Sequence, residues 1–359
     1  MLAKLWKPKT TQFVGVDIGS SEIKAILLNQ TDDGYKVARH VAIPINKGAV
    51  VDHDIRDADR VVECLELVKR RLPKNIKYAA AAVSGSAVMT KVIYMDAALN
   101  EEEMEAQIEI EADHLIPYSL DEVSIDFETL NVNSADPSKV DILLSACRTE
   151  NIDAKVDSLD RVDLETKIID VEGYALGRAH QLIMQQLPNG AEDKIIALVD
   201  IGANMTTFAI VENGETTFTR EQAIGGEVLT AEIQNSYNLS RDDAETLKIN
   251  GEVPQGYVDK VLAPFRLSIL QQIKRTLQIY SAASGNENVD YVVLSGGTAK
   301  LDGIANLLTA ELGIKSMVAD PFQGCLSAND NDKALLENNM SKYMVACGLA
   351  LRSFTPWRT

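Results

Sequence analysis

Apolar residues occur along the chain in short runs, and one arrangement of them occurs twice. A mainly apolar run from Phe13 to Ile18 leads through a glycine and two serines to a second apolar run from Ile23 to Leu28. The run from Ile196 to Ile201 has the same form and leads to Phe208–Val211. Each run predicts a buried strand, and the glycine between the runs predicts a tight turn. Two similar hairpins, each beginning one half of an internally duplicated fold, are therefore expected.

The spacing of apolar residues also predicts the elements around these hairpins. Val61, Val62, Leu65 and Val68 lie at helical spacing, and Pro73 ends the helix that they predict over 57–72. Strands are expected at 35–43, 78–83, 219–224 and 291–294. Further helices are expected at 173–187, 226–237, 242–249, 258–283 with a kink at Pro264, 301–312 and 344–351.

The pattern changes after residue 86. Strands are expected at 91–95, 123–132, 140–147 and 168–170, and helices at 100–116 and 150–160. Glutamates at 101, 102 and 103 lie in the first turn of the helix over 100–116, where the helix dipole favours negative charge. Six elements in this short stretch predict a small α/β subdomain inserted into the first half of the fold.

Composition limits the class of protein. The 359 residues are enough for two lobes with substantial cores, and 46% hydrophobic with 25% charged residues is typical of a globular protein. The net charge of −18 argues against a nucleic-acid partner, because phosphate repulsion would require a local basic cluster. The basic residues are instead scattered along the chain.

The sequence shows no membrane span or secretion signal and few cysteines, which predicts a protein of the reducing cytoplasm. No apolar stretch is long enough for a membrane span, and the basic first nine residues lack the apolar core of a secretion signal. Residues 1–12 are expected to be a tail, either frayed or touching an anionic membrane through Leu2, Leu5 and Trp6. The four cysteines, which show no metal-ligand spacing, are expected to be free thiols: Cys64, Cys147, Cys325 and Cys347.

The first hairpin carries residues suited to a phosphate group. Asp17 is followed by Gly19, Ser20 and Ser21 at the expected turn, and then by Lys24. Backbone N–H groups of the turn would bind phosphate oxygens, and Lys24 would add a positive charge. Asp17 would hold metal-bound water, because Mg²⁺ prefers carboxylate oxygens and water. The alternative is an ordinary tight hairpin with an exposed lysine.

The second hairpin offers a similar set. Asp200 would orient a metal ion and water, Gly202 would form the turn, and Asn204 and Thr206 would reach phosphates. The alternative is again a structural hairpin. A third candidate is the turn after the strand at 291–294, where Gly296 and Gly297 would let a base or ribose approach the backbone and Lys300 would lie over an adenine face.

These motifs, in this order, resemble those of the actin, sugar kinase and Hsp70 superfamily. The resemblance implies ATP or ADP with Mg²⁺ between two lobes, each with a five-stranded sheet of the RNase H type. It matches 17–24 and 200–207 to two phosphate loops, with Asp17 and Asp200 at the metal, and Gly296 and Gly297 to the adenosine motif. Gly225 and Gly226 resemble the Gly-Gly-Glu of Hsp70. A helix resembling the Hsp70 helix that contacts adenosine implies roles for Lys274, Arg275 and Gln278.

The chain is similar over nearly its whole length to the PilM family, FtsA-like components of type IV pilus assembly. The similarity lies in the helix over 100–116 with the Ile-Pro-Tyr that follows, in 143–148 and in 171–176. It implies an α/β fold of duplicated RNase H-like (actin-like) lobes around a nucleotide cleft, with an inserted FtsA-type 1C subdomain. The implied layout is a tail at 1–12, lobe 1 core at 13–86 and 166–190, the insert at 87–165, lobe 2 core at 191–225 and 289–340, an outer subdomain at 226–288, and a helix returning to lobe 1 at 341–359.

The same resemblance implies a scaffold and its partners. Proteins of this family bind the N-terminal cytoplasmic peptide of PilN, contact pilus motor ATPases and platform proteins, and assemble as homo-oligomers at the inner membrane through partners. The peptide groove is implied between the lobe 1 core and the insert. Ile108, Leu115, Ile116 and Tyr118 are candidates for it, with a place in the core as the alternative.

Catalysis would need a group that orients water against the γ-phosphate. Glu172 is the candidate, assisted by Asp200; the alternative for Glu172 is a surface carboxylate stabilised by a helix start. Ala203 and Asn204 stand where Hsp70 and FtsA have glycines, so slow or absent ATP hydrolysis is expected. Two other functions stay open: a small-molecule kinase of the superfamily, and an FtsA-like filament-forming division protein, whose C-terminal membrane helix Pro356 disfavours.

Overall fold

The computed structural model describes residues 12–32, 34–133, 136–188, 193–250, 254–285, 288–323 and 340–355. The expected tail at 1–11, Cys325 and Pro356 lie outside these residues. The strands, in chain order, are β1 Phe13–Ile18, β2 Glu22–Thr31, β3 Gly34–Pro44, β4 Val50–Val51, β5 Asp54–Ile55, β6 Tyr78–Val83, β7 Val88–Asp96, β8 Val123–Val132, β9 Lys139–Arg148, β10 Glu165–Val171, β11 Ile196–Ile201, β12 Thr206–Glu212, β13 Glu215–Gln222, β14 Tyr291–Ser295 and β15 Lys315–Val318.

The α-helices follow the predicted positions with some changes of length. They are α1 Ala58–Arg71, α2 Glu101–Leu115, α3 Thr149–Asp160, α4 Glu172–Arg178, α5 Gly226–Tyr237, α6 Arg241–Asn250, α7 Ala263–Ser284, α8 Ile304–Leu312 and α9 Met344–Ala350. The side chain of Asp57 caps α1 by accepting from the N–H of Arg60, and Asn100 and Glu103 form a capping box on α2.

Two five-stranded sheets have the same topology. Their strand orders are β10-β6-β1-β2-β3 and β13-β12-β11-β14-β15. In each sheet the first three strands along the chain form an antiparallel meander. The fourth strand pairs in parallel with the first, and the fifth pairs in parallel with the fourth. Asp17 lies opposite Lys24, and Asp200 opposite Thr207, at equivalent ends of the two hairpins. The predicted duplication is confirmed.

The insert is built from fewer elements than the sequence pattern suggested. Its three-stranded sheet has the order β7-β9-β8 and packs against α2, burying Ile108, Ile142 and Leu144. The strand β10, grouped with these elements by its proximity in sequence, instead pairs in parallel with β6. The helix α3 packs on α1 and β10, and its Leu159 is buried in the core of the first lobe. An unbroken sequence pattern cannot show which sheet a strand joins.

Three element predictions were wrong in extent. The helix predicted over 173–187 ends at Arg178 and continues as 3-10 turns, in which His180 donates from Nδ1 to the carbonyl oxygen of Gly177. Pro264 lies in the first turn of α7, where proline is tolerated, and a π-helical turn at 258–262 precedes it. The helix predicted from 301 begins at Ile304, after Gly303 with φ 71°.

Two short helices, α4 and α9, join the sheets by very close packing. A Cβ on Gly348 of α9 would lie 1.7 Å from the carbonyl oxygen of Ala175 in α4. A Cβ on Gly15 of β1 would lie 2.2 Å from the carbonyl oxygen of Ala346 in α9. A Cβ on Gly177 of α4 would collide with a β13 side chain at 1.9 Å. Only glycine fits at these contacts. They hold both sheets against the pair of helices α4 and α9, which we call the seam.

Apolar side chains from both lobes fill this seam. One buried cluster contains residues of β1, β2, α4, β11, β12 and α9, among them Phe13, Ile26, Leu176, Leu198, Ala209 and Met344. The segment after α9 also returns to β1, since the backbone N–H of Phe13 donates to Ser353 Oγ at 2.9 Å. The lobes therefore share one core beneath the space between their hairpins.

The seam makes a stability prediction. Gly348→Ala should lower the free energy of unfolding by about 1–3 kcal/mol or more, because an added Cβ in a packed core forces backbone shifts. Thermal and urea unfolding of nucleotide-free protein measure this. Gly297→Ala is the control, since its Cβ would meet no atom within 4 Å. Equal stability of the Gly348→Ala variant and the wild type would contradict the packing described.

Candidate functional site

The first hairpin holds an ion pair at its tip. Asp17, at the end of β1, and Lys24, opposite it in β2, form a salt bridge of 2.7 Å between Oδ2 and Nζ. Both side chains are largely buried, with exposed fractions of 11% and 16%. The alternative of a hairpin with an exposed lysine is therefore not supported, and Lys24 is held beside the acid.

The second hairpin places a buried acid near this pair. Asp200 accepts a hydrogen bond from Ser295 Oγ at 2.8 Å, because β14 runs parallel to β11 and Ser295 is its neighbour in register. Burial raises the pKa of Asp200 to about 6, although Lys24 and the bond from Ser295 lower it. Asp200 is thus a carboxylate whose charge is poorly compensated by the protein.

Lys24 connects the two hairpins electrostatically. Burial lowers its pKa, but the carboxylates of Asp17 and Asp200 raise it more, and the net pKa lies above the usual range. One ammonium group therefore faces two carboxylates that come from different sheets. The predicted convergence of Asp17, Lys24 and Asp200 is what the structure contains.

The turn amides divide into two groups. The N–H of Gly19 donates to the carbonyl of Glu22, and that of Gly202 to Met205, so these two amides close their own hairpins. Among the residues that the structure describes, the backbone N–H groups of Ser20, Ala203 and Asn204 have no acceptor within the protein. Ser20 and Ser21 lie at the first turn, and Asn204 at the second, partly exposed. These amides, more than the glycine amides, are available to an anion.

The glycine turns pack against the second hairpin. Gly296 has φ 89°, and a Cβ on it would lie 2.4 Å from the carbonyl oxygen of Ile201. A Cβ on Gly225 would lie 2.4 Å from the carbonyl oxygen of Ala203, and the N–H of Gly226 donates to Gly202. These glycines let the turn after β14 and the start of α5 meet the second hairpin. Gly297 and Lys300 lie exposed just beyond Gly296.

The other predicted ligands are Thr206 and three residues of α7. Thr206 is buried and donates from Oγ1 to the carbonyl of Ile224 at 2.6 Å, so its hydroxyl serves the fold rather than a phosphate. Lys274, Arg275 and Gln278 are exposed on α7. Arg275 lines a cavity of about 250 Å³ between α7 and β13, and this cavity also includes Ile224, next to Gly225.

An acid and a base that were not predicted from the sequence lie beside the turn at Gly226. Lys248 on α6 donates to the carbonyl of Gly226 at 3.3 Å and to Thr230 Oγ1 at 2.8 Å, and it pairs with Glu245 at 2.7 Å. A Cβ on Gly226 would touch both Lys248 and Thr298. The signal in the sequence was an acid–base pair at i, i+3 on a helix, a spacing common on exposed helices.

The candidate catalytic glutamate is buried and paired. Glu172 begins α4 and is 6% exposed. Its Oε1 lies 2.8 Å from Nδ1 of His53. His53 occupies the two-residue turn between β4 and β5, where Asp52 and His53 have φ of 50° and 67°, as a type I′ turn requires. The interpretation of Glu172 as an exposed carboxylate is therefore not supported, and no sequence pattern indicated its partner.

A polar cavity of about 240 Å³ adjoins this pair. Its lining comes from the β4–β5 turn, the end of β6 and α3, including His53, Ser84, Glu150, Asn151 and Lys155. Lys155 is 3% exposed and donates to the carbonyl of His53 at 3.2 Å. Burial lowers the pKa of Lys155, although Glu172 and Asp17 raise it. The cavity lies where the first lobe meets the insert.

Within the described part of the chain, no helix is both long and apolar enough to cross a membrane.

Comparison with known proteins gives the family. The model of the family "Type IV pilus assembly protein PilM" matches residues 15–354. The structure superposes on a PilM-PilN type IV pilus biogenesis complex with a TM-score of 0.80 and 23% identity, covering 96% of this chain and 99% of that one. MreB5 of Spiroplasma citri bound to ADP gives 0.51 at 14% identity, covering 95% of each chain, which supports the fold alone.

A comparison of sequences finds a further similar protein. Cell division protein FtsA of Bacillus subtilis is 23% identical over 86% of this chain and 78% of its own length. The two lobes, their equal strand orders and their structural neighbours establish an actin-like fold. With a family model that spans nearly its whole length, the chain belongs to the PilM family of type IV pilus assembly proteins.

Proposed function

We propose that the protein binds ATP or ADP in the cleft between its two hairpins and serves as a nucleotide-dependent scaffold in type IV pilus assembly. The observation that supports this most is the convergence of Asp17, Lys24 and Asp200 from two different sheets. A lysine and unused turn amides suit phosphate oxygens. Gly296 and Gly297, with Glu245 and Lys248 nearby, suit the nucleoside.

The donor set of the cleft also fits Mg²⁺. Asp17 and Asp200 are carboxylates, which together with waters and phosphate oxygens are the usual ligands of this ion. The raised pKa of Asp200 reflects a site short of positive charge, and bound Mg²⁺ would supply it. When bound, the ion would neutralise phosphate charge; the residues themselves hold and orient the nucleotide.

Hydrolysis is proposed to be slow or absent. Glu172 and Asp200 are the candidates for orienting water, but Glu172 already bonds to His53 at 2.8 Å. Ala203 and Asn204 carry side chains in the second turn, where glycine would let the backbone wrap the γ-phosphate. A tightly held nucleotide with little turnover suits a scaffold better than a kinase.

Removal of one acid gives opposite effects on stability and binding. Because the pKa of Asp200 is raised, its ionised form destabilises the nucleotide-free fold above about pH 6, and this cost vanishes below the ordinary aspartate pKa near 3.8. Asp200→Asn should therefore raise Tm at pH 7.5 by about 1–2 °C, the effect of roughly 1 kcal/mol on a chain of 359 residues. The same change should abolish Mg²⁺-dependent binding of a fluorescent ADP.

The matched control is Asp259→Asn, an exposed aspartate of the second lobe. It should leave both Tm and ADP affinity unchanged. Retained Mg²⁺-dependent affinity in Asp200→Asn would place the nucleotide elsewhere. A lower Tm at pH 7.5 would contradict the charge balance described for this carboxylate.

The partner proposed for the junction between lobe 1 and the insert is the N-terminal cytoplasmic peptide of PilN. Support comes from the superposition on a PilM-PilN complex and from the cavity at this junction. Of the apolar candidates, Ile108 and Ile116 are buried in the insert core, whereas Tyr118 is 50% exposed and stacks under Arg148. Tyr118 is therefore the better candidate for the groove.

Peptide binding can be tested by filling the cavity. Ala154→Phe on α3 should weaken binding of a synthetic PilN N-terminal peptide by about tenfold or more, measured by fluorescence anisotropy. Asp153→Phe, an exposed position of the same helix, is the control. Unchanged affinity in a folded Ala154→Phe variant would move the peptide to another surface. Contacts with motor ATPases and platform proteins, homo-oligomerisation, and a cytoplasmic location at the inner membrane through PilN remain predictions of the same model.

A further inference from the structure

A contact between the lobes lies at the floor of the cleft. Glu221 of β13, in the second lobe, accepts three hydrogen bonds from the turn after β6, in the first lobe. The donors are Ser84 Oγ at 2.5 Å, the N–H of Gly85 at 2.6 Å and the N–H of Ser86 at 3.2 Å. Charged acceptors make the stronger hydrogen bonds in proteins, so one carboxylate ties the two lobes together here.

The same carboxylate faces the paired histidine. Ligand atoms of His53, Glu172 and Glu221 all lie within 4.8 Å of one another. Burial raises the pKa of Glu221, but the hydrogen bond from Ser84 and the charge of His53 bring it below its usual range. A single imidazolium therefore lies between a carboxylate of the first lobe and one of the second.

The surrounding charges keep His53 protonated. Burial and Lys155 on α3 lower its pKa, whereas Glu172 on α4 and Glu221 on β13 raise it, to about 9. Two carboxylates then face two cations, His53 and Lys155. A metal ion at the three ligands fits less well, because the carboxylate of Glu221 already accepts three hydrogen bonds.

We propose that His53, Glu172 and Glu221, with the turn Ser84–Ser86, form a clasp that holds the two lobes closed over the cleft. The clasp breaks when the lobes separate, because Glu221 moves with β13 and its three donors move with β6. Release of a nucleotide therefore requires the clasp to open. This last consequence rests on the proposed nucleotide function, whereas the clasp itself does not.

Other polar contacts also join the lobes in the described residues. Lys47 pairs with Glu227 at 2.9 Å, but Lys47 is 64% exposed, and exposed ion pairs contribute little. Lys24 lies in the field of Asp200, and the side-chain amide of Gln186 bonds to the backbone of Asp320. The clasp differs from these contacts because it adds a buried ion pair, His53 with Glu172, beside a carboxylate of the other lobe.

Two measurements on nucleotide-free protein test the clasp. Hydrogen exchange at the amides of 84–87 reports its opening, and small-angle X-ray scattering reports the separation of the lobes. We expect His53→Gln to speed this exchange about tenfold, although His53 does not bond to these amides, and Glu221→Gln to increase the radius of gyration. Glu215→Gln, an exposed glutamate of the same strand, is the control and should change neither.

The pH dependence separates a clasp from a merely structural contact. Because the pKa of His53 is raised, its stabilisation of the clasp is fully present below about pH 6.5 and is lost as pH rises through about 9. Exchange at 84–87 should therefore accelerate over this range in the wild type and stay flat in His53→Gln, after correction for intrinsic exchange. A parallel profile in both proteins would overturn the proposal.

Dissociation of fluorescent ADP completes the test. Glu221→Gln should speed dissociation about tenfold relative to wild type and to Glu215→Gln. If the wild type binds no ADP, the nucleotide function fails while the exchange and scattering results still decide the clasp. If ADP binds but both variants match the wild type in exchange and scattering, the clasp fails and the nucleotide function stands.

Discussion

The rest of this structure depends on one constraint: α4 and α9 pack very closely through glycine residues. Gly348, Gly15 and Gly177 let two helices and two sheets approach to distances that no Cβ permits. This approach brings the tips of two separate hairpins together. Asp17 and Asp200 then share the field of Lys24, and the burial that comes with this packing raises the pKa of Asp200 although Lys24 lowers it. The cleft is thus a product of helix packing as much as of its own residues.

The two halves of the fold use the same topology for different purposes. In the first half, the space beyond β6 holds the insert, whose β7-β9-β8 sheet packs on α2 and whose junction with the lobe contains a polar cavity. In the second half, the space before β14 holds α5, α6 and α7, which bring Glu245 and Lys248 to the glycine turn. The duplication supplies two similar hairpins with an acid at each tip, and the elements added to each half make the surroundings of the two hairpins different.

The spacing of apolar residues predicted the elements that are set by neighbours in sequence. The two hairpins and the acids at their tips followed from apolar runs around Asp-Ile-Gly. Sheet membership did not, since β10 and α3 follow the insert in sequence but pack in the first lobe. The site was predictable where residues adjoin a turn, as with Asp17 and Gly296. It was not predictable for His53, Glu221 and Lys248, because their partners are distant in sequence and nothing local indicates a pairing with Glu172 or with the turn after β6.

The return of the late segment to the first strand has a consequence for how the chain is made. Phe13 bonds to Ser353, and α9 covers β1 and β2, so the core of the first lobe includes residues separated by 340 positions. During synthesis on the ribosome, the apolar side chains of β1 and β2 that face α9 stay uncovered until α9 has emerged. A chain that stopped after the second lobe would therefore lack the helix that completes the shared core.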